Sequence, residues 1–381
     1  MIYLDHAAAT PLSDEVLAAQ QPFFAEAFYN PSANYLAARQ VRQALEEARA
    51  SVARQLGART SDIIFTAGGT ESDNLAIAGV MRAFPDANLV VSAIEHDAVL
   101  EPARQFNCSV ALTTGEGRVD IPDLLSKIND QTVLVSVMYA NNEVGSLQPI
   151  RDISHNIAKI REERRRAGNT LPLYLHTDAC QAANYLDLHV ARLGVDLMTL
   201  NGGKIYGPKQ SGVLYAASSV RLEPLVRGGG QENGLRSGTE NVAACVGFAK
   251  ALELAQATRR EESKRLSDVQ HLTFGLIEAQ LPGAIINGSR RHRLPNNIHL
   301  TLPGQDNERL LVELDERGIL AAAGSACSAS SEEPSHVLRA MGIADVDAQA
   351  SLRITMGRET TEADMRTFVS TLAGIVNKTT N

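Results

Sequence analysis

Seven short apolar runs, most of them followed by a helical pattern, constrain this chain more than any other feature. Ile63–Thr66, Leu89–Ile94, Val110–Thr113, Val133–Met138, Leu173–Thr177, Leu197–Leu200 and Val213–Tyr215 read as strands. Helical patterns over Glu71–Met81, Ala98–Phe106, Pro122–Ile128 and Ile150–Arg166 separate the earlier ones. Strands that alternate with helices need crossover connections, and these give a mostly parallel sheet. The stretch Val133-Leu134-Val135-Ser136-Val137 lacks strict alternation, as expected of a strand covered on both faces. After Asn241 the pattern changes. A long helix runs from Val242 to about Ala279, with room for a break. Strands near Ile285, Ile298–Leu302, Ile319–Ala322 and Leu352–Thr355 come next, with helices over Asn307–Arg317 and Glu362–Val376 among them. This reads as a small α+β domain. The expected division is a large domain over 12–260 and a small one built from 1–11 and 261–381, with the boundary inside the long helix. The mixed charges of Arg161-Glu162-Glu163-Arg164-Arg165-Arg166 read as a solvated helix face.

Composition excludes several classes. The 381 residues are 44% hydrophobic and 21% charged, a globular balance. Lys plus Arg is 36 against 44 Asp plus Glu, a net charge of −8, which argues against a general nucleic-acid binder. No apolar run approaches bilayer length, and Met1-Ile2-Tyr3-Leu4-Asp5-His6 has neither the basic nor the apolar part of a signal peptide. The four cysteines, Cys108, Cys180, Cys245 and Cys327, form no CxxC pair. A reducing cytoplasm is the expected location.

In an open parallel sheet, ligands bind beyond the carboxyl ends of the strands. The residues just after each strand are therefore informative. Gly68-Gly69-Thr70 joins a strand to a helix and suits an anion, although Thr70 as an ordinary helix cap explains it as well. His96 comes after the next strand and can stack on a ring or move a proton. Asn142 and Gln181 are neutral amides at the same edge. Asp178 ends a strand, where a carboxylate pairs with a protonated pyridine nitrogen. Lys204 stands among Gly202, Gly203 and Gly207, a setting in which a lysine amine can take up an aldehyde cofactor. Arg353 offers a fork for a carboxylate from a strand of the small domain. Cys327 lies in Gly324-Ser325-Ala326-Cys327-Ser328-Ala329, small and polar surroundings unlike those of a packed core thiol, so it reads as a nucleophile on a loop. The other three cysteines read as packing residues.

These stretches, in this order, resemble the NifS/IscS-like (group I) cysteine desulfurases, class V aminotransferase-type enzymes dependent on pyridoxal 5'-phosphate (PLP). The resemblance runs from Tyr3-Leu4-Asp5-His6-Ala7-Ala8-Ala9-Thr10-Pro11 and Asn30-Pro31-Ser32 through Gly68-Gly69-Thr70-Glu71-Ser72-Asp73-Asn74 and Glu95-His96. It continues through Asn141-Asn142-Glu143-Val144-Gly145, His176-Thr177-Asp178-Ala179-Cys180-Gln181 and Lys204-Ile205-Tyr206-Gly207-Pro208-Lys209. Arg236-Ser237-Gly238-Thr239, Gly324-Ser325-Ala326-Cys327 and Glu333-Pro334-Ser335 complete it.

The resemblance implies a fold type I PLP-dependent transferase, α/β, with a mostly parallel seven-stranded sheet flanked by helices, acting as a homodimer. It implies Lys204 as the Schiff-base lysine, Asp178 on the pyridine nitrogen, His96 on the ring, and Gln181 on the phenolic oxygen. Gly69 and Thr70 match phosphate contacts, Asn201 in place of the family serine can still donate to a phosphate, Gly203 contributes backbone only, and Thr239 matches a phosphate contact from the other subunit. Asn142 matches a residue near cofactor and substrate, with Asn141 the alternative if the alignment slips by one. Arg353 matches the substrate-carboxylate arginine, and Cys327 the persulfide carrier. The implied reaction converts L-cysteine to L-alanine and hands sulfur to an acceptor protein, in iron–sulfur assembly or tRNA thiolation. Selenocysteine lyase, another PLP-dependent aminotransferase, and an inactive sulfur-trafficking scaffold are the alternatives. Two departures stand out. The family's Ser-x-His-Lys is Asn201-Gly202-Gly203-Lys204 here, and Tyr35 replaces an early histidine.

Overall fold

The computed structural model describes residues 1–324 and 334–379. Its strands are β1 (Ile2–Tyr3), β2 (Ile63–Thr66), β3 (Asn88–Ser92), β4 (Cys108–Ala111), β5 (Thr132–Ser136), β6 (Tyr174–Asp178), β7 (Leu197–Asn201), β8 (Gly212–Ala216), β9 (Ile285–Ile286), β10 (Asn297–Thr301), β11 (Ile319–Leu320) and β12 (Ser351–Thr355). The seven apolar runs form one sheet in the order β2-β8-β7-β6-β5-β3-β4. Only β8 is reversed in it, pairing antiparallel with β2 and β7. The expected mostly parallel sheet is therefore present, and six strands direct their carboxyl ends to one edge.

Burial explains why these strands lack alternation. Every residue of β2, β3, β5, β6 and β8 is buried. Ile63 and Phe65 of β2 face a cluster that includes helices Leu36–Leu56 and Ile150–Arg166. Ile64 between them faces the opposite cluster, with Leu75 and Ile77 of helix Gly69–Ala83. Helices thus cover both faces, and water reaches neither.

The C-terminal part has its own apolar cluster, with Ile298 and Leu300 of β10, Leu352 and Ile354 of β12, and Phe368 of helix Glu362–Thr379. β12-β10-β9 form an antiparallel sheet, and the chain start joins this part through the parallel pair β1-β11. Helix Val242–Gln280 is continuous, without a break. It packs Phe248, Leu252 and Ala255 into the first cluster, and Leu266, Phe274 and Ile277 into the C-terminal one.

Two other sequence expectations are corrected. No element is assigned before Ile63 from the sequence, yet Leu36–Leu56 forms 21 residues of helix that buries Val41, Leu45, Ala48, Val52 and Leu56 at helical spacing and is closed by Gly57 at φ 64°. The cluster over 161–166 is not simply a solvated face. Arg164 is buried and donates to the Thr132 carbonyl at 2.8 Å and to that of Asn129, while Arg161 pairs with Asp196.

Candidate active site

The shared edge of the sheet carries a cleft of about 580 Å³. At one end stands the N-terminus of helix Gly69–Ala83. Gly68 caps it at φ 138°, a conformation that favours glycine. A Cβ on Gly69 would lie 2.8 Å from Cys180 Sγ and 3.3 Å from Asn201 Nδ2, so only glycine leaves this end open. The first intrahelical bond is Ser72 N to Gly68 O, and the preceding N–H groups of Gly69 and Thr70 have no carbonyl in their own helix to reach. This end suits an anion. Asn201 lines it and accepts from Gly203 N at 2.9 Å.

Lys204 ends the short turn Gly202–Lys204 after β7, and its Nζ donates to the Ala8 carbonyl at 2.5 Å. Asn184 Nδ2 holds the Lys204 carbonyl at 2.7 Å. Asp178, at the end of β6, accepts from Cys180 N at 2.8 Å and lines the cleft. Behind it, His176 meets Ser136 Oγ of β5 at 2.9 Å and Thr199 Oγ1 of β7 at 3.1 Å. Burial lowers the His176 pKa to about 3, so the ring is neutral.

No role is read from the sequence for two buried carboxyls near Asp178, although both stand in stretches that carry the resemblance. Asp73 lines the cleft from helix Gly69–Ala83, and its Oδ1 is buried without a hydrogen-bond partner. Burial and the charge of Asp178 push its pKa well up. Glu95 accepts from Met138 N at 2.8 Å and from Ser92 Oγ, and burial raises it to about 8. Next to it, His96 caps helix Asp97–Ala103 by accepting from Ala98 N at Nδ1, 3.0 Å. In the neutral ring this leaves the proton on Nε2.

Gln181 lines the cleft and donates to the Ala7 carbonyl at 3.0 Å. The two neighbouring asparagines have different settings. Asn141 is fully buried, accepting at Oδ1 from Glu143 N and Val144 N at 2.9 Å each, whereas Asn142 lines the cleft. Arg353 enters from β12. Its Nη2 pairs with Asp5 at 2.7 Å and its Nη1 donates to the Asn142 carbonyl at 3.3 Å.

Gly69, Thr70, His96, Asn142, Asp178, Gln181, Asn201, Lys204 and Arg353 thus line one cleft. Gly203 does not. Its N–H serves Asn201, and its carbonyl accepts from Thr10 N at 3.1 Å. Thr239 is exposed and also lies outside the lining. Cys327 lies outside the described residues. Cys180, read as a packing residue, is buried but does line the anion end.

A family model described as aminotransferase class-V matches residues 2–368. The chain belongs to the class-V aminotransferase family. Among its relatives, the cysteine desulfurase IscS of Dictyoglomus turgidum is 41% identical over 384 residues, covering 99% of this chain and 95% of that one. The putative cysteine desulfurase IscS 1 of Bacillus subtilis is 38% identical and covers 100% and 99%. Among solved structures, a NifS-like protein superposes with a TM-score of 0.89 at 30% identity over 99% of both chains. SspA in complex with cysteine superposes with a TM-score of 0.79 at 32% identity, covering 93% of this chain and 99% of that one. Within the class-V family the chain stands in the NifS/IscS-like branch.

Proposed function

We propose that this chain is a PLP-dependent cysteine desulfurase that converts L-cysteine to L-alanine and moves the sulfur onto Cys327. The observation that carries this reading is the convergence on one cleft of an anion-ready helix N-terminus, an amine at Lys204, a carboxylate at Asp178 and a guanidinium at Arg353. The open cradle at Gly69 and Thr70 suits a phosphate, with Asn201 beside it, and Asp178 suits a pyridine nitrogen. The buried Asp73 Oδ1, which has no hydrogen-bond partner, marks this end of the cleft as polar. When bound, the cofactor withdraws electrons from the amino acid's α-carbon.

The chain's own residues do the rest. Lys204 would supply the amine that holds the cofactor aldehyde, and its Nζ would serve as the base for the α-proton. Asp178 would meet the ring nitrogen, and burial pushes the pKa of the nearby Asp73 well up and that of Glu95 to about 8. His96 would cover the ring, and Gln181 would meet the phenolic oxygen. Arg353 binds the substrate carboxylate and Asn142 stands beside it, which fixes the substrate for reaction. The Cys327 thiolate attacks the substrate sulfur. The carbon–sulfur bond breaks as the sulfur–sulfur bond forms, and the carbon fragment gains protons to become alanine. Cys327 enters on sequence grounds, since no described residue sits at its position. Thr239 enters as the phosphate contact from a second copy in a homodimer. The large part, 12–260, carries most of the cofactor cleft, and the part formed by 1–11 and 261–381 brings Arg353 to it and includes Cys327 in its sequence. The sulfur then passes to an acceptor protein, in the cytoplasm.

The test is covalent mapping. Borohydride treatment of the PLP-loaded protein is expected to fix the cofactor on the Lys204 peptide, and Lys204→Ala to abolish it. Fixation on another lysine contradicts the assignment. Products separate the alternatives: alanine with sulfide supports this reading, and a keto acid supports plain transamination.

A further inference from the structure

Arg353 is committed before any substrate arrives. Its side chain is 1% exposed, and its one ion pair among the described residues is with Asp5, at 2.7 Å. Asp5 is held close to Arg353 by the segment after β1. Its backbone bridges Thr355, two residues along β12 from Arg353. His6 N donates to the Thr355 carbonyl at 3.3 Å, Ala7 N to Thr355 Oγ1 at 2.9 Å, and Tyr3 Oη to the Asp5 carbonyl at 2.9 Å. His299 stands opposite Arg353 on β10, and burial together with two arginines lowers its pKa to about 3, so it adds no charge. Asp5 is not part of the cleft lining, whereas Ala7 and Ala8 beyond it are. The carboxylate therefore touches the guanidinium without standing where a substrate would.

We propose that Asp5 is a positioning residue that sets substrate specificity by neutralising Arg353 and weakening its hold on any incoming carboxylate. This rests on the reading of Arg353 as the substrate-carboxylate group. A guanidinium already paired attracts a second carboxylate less, because the two anions repel across a nearly dry site. A molecule bearing only a carboxylate is then held poorly. An α-amino acid is held because its amine makes a second attachment. The N-terminal segment, which lies far from the rest of the cleft in sequence, thus decides how strongly the cleft binds substrate and product.

The test uses the PLP-loaded enzyme and two non-consumed amines, with absorbance titration as the readout. L-Alanine carries the carboxylate, and ethylamine is the same molecule without it. In Asp5→Asn the dissociation constant for L-alanine is expected to fall about tenfold, with that for ethylamine unchanged. Asp5→Ser, which also removes the charge, should show the same selective gain. An L-alanine constant that stays the same or rises overturns the inference, as does an equal shift for both amines, which reports a merely structural effect. A wild-type enzyme that responds to neither amine overturns the functional reading itself and this inference with it. A wild-type response without an Asp5 effect overturns this inference alone.

Discussion

Single residues at strand ends were the legible part of the site. Asp178, Lys204 and His96 each come just after an apolar run, and a parallel sheet brings such positions together whatever the helices between them do. Asp73 was not legible, because it lies inside a helix, where a polar residue reads as part of a solvated face. The same limit hid Arg164, which sits in a run of mixed charges yet is buried against carbonyls. Glu95 offers a test at this scale. Its folded pKa of about 8 lies above its ordinary 4.5 because of burial, so the folded state holds this proton more tightly than the unfolded one. Glu95 then contributes most to stability below pH 4.5, and that contribution is lost as pH rises toward 8. Glu95→Gln keeps an acceptor for Met138 N and removes the titration. Denaturant unfolding should show the variant gaining on wild type by on the order of 1 kcal/mol or more between pH 5 and pH 8. A difference that does not change with pH contradicts the neutral Glu95.

At the scale of elements, the strands were readable because a doubly covered sheet demands continuous apolar runs. Helix Leu36–Leu56 was readable as well, since Val41, Leu45, Ala48, Val52 and Leu56 recur at helical spacing among Arg, Gln and Glu. The entry to helix Gly69–Ala83 matters most for function, and it tolerates no side chain at its first residue. Gly69→Ala would press a methyl against Cys180 Sγ at 2.8 Å. PLP affinity, measured by fluorescence on apoprotein, should fall by tenfold or more, and Cys180→Ala in the same chain should restore part of it. An unchanged affinity contradicts the placing of the phosphate at this helix. Gly212 backs the same helix entry. A Cβ there would come within 2.6 Å of the Gly68 backbone, so Gly212→Ala should cost about 1–3 kcal/mol in unfolding experiments.

At the scale of the whole molecule, the resemblance carried what periodicity did not. Arg353 comes from the far end of the chain, and Thr239 is exposed on a single copy. In the proposed homodimer Thr239 stands in the neighbouring site. Sedimentation should therefore find a dimer, and Thr239→Ala should weaken PLP retention without shifting the unfolding midpoint. The proposed reaction requires joint use of the amine at Lys204 and the thiol at Cys327. The most direct test is a single turnover with L-cysteine in the absence of an acceptor, with alanine quantified and the Cys327 peptide weighed by mass spectrometry. One added sulfur atom on Cys327 for each alanine formed is the expected result. Alanine released at an undiminished rate while Cys327 stays unmodified would contradict it.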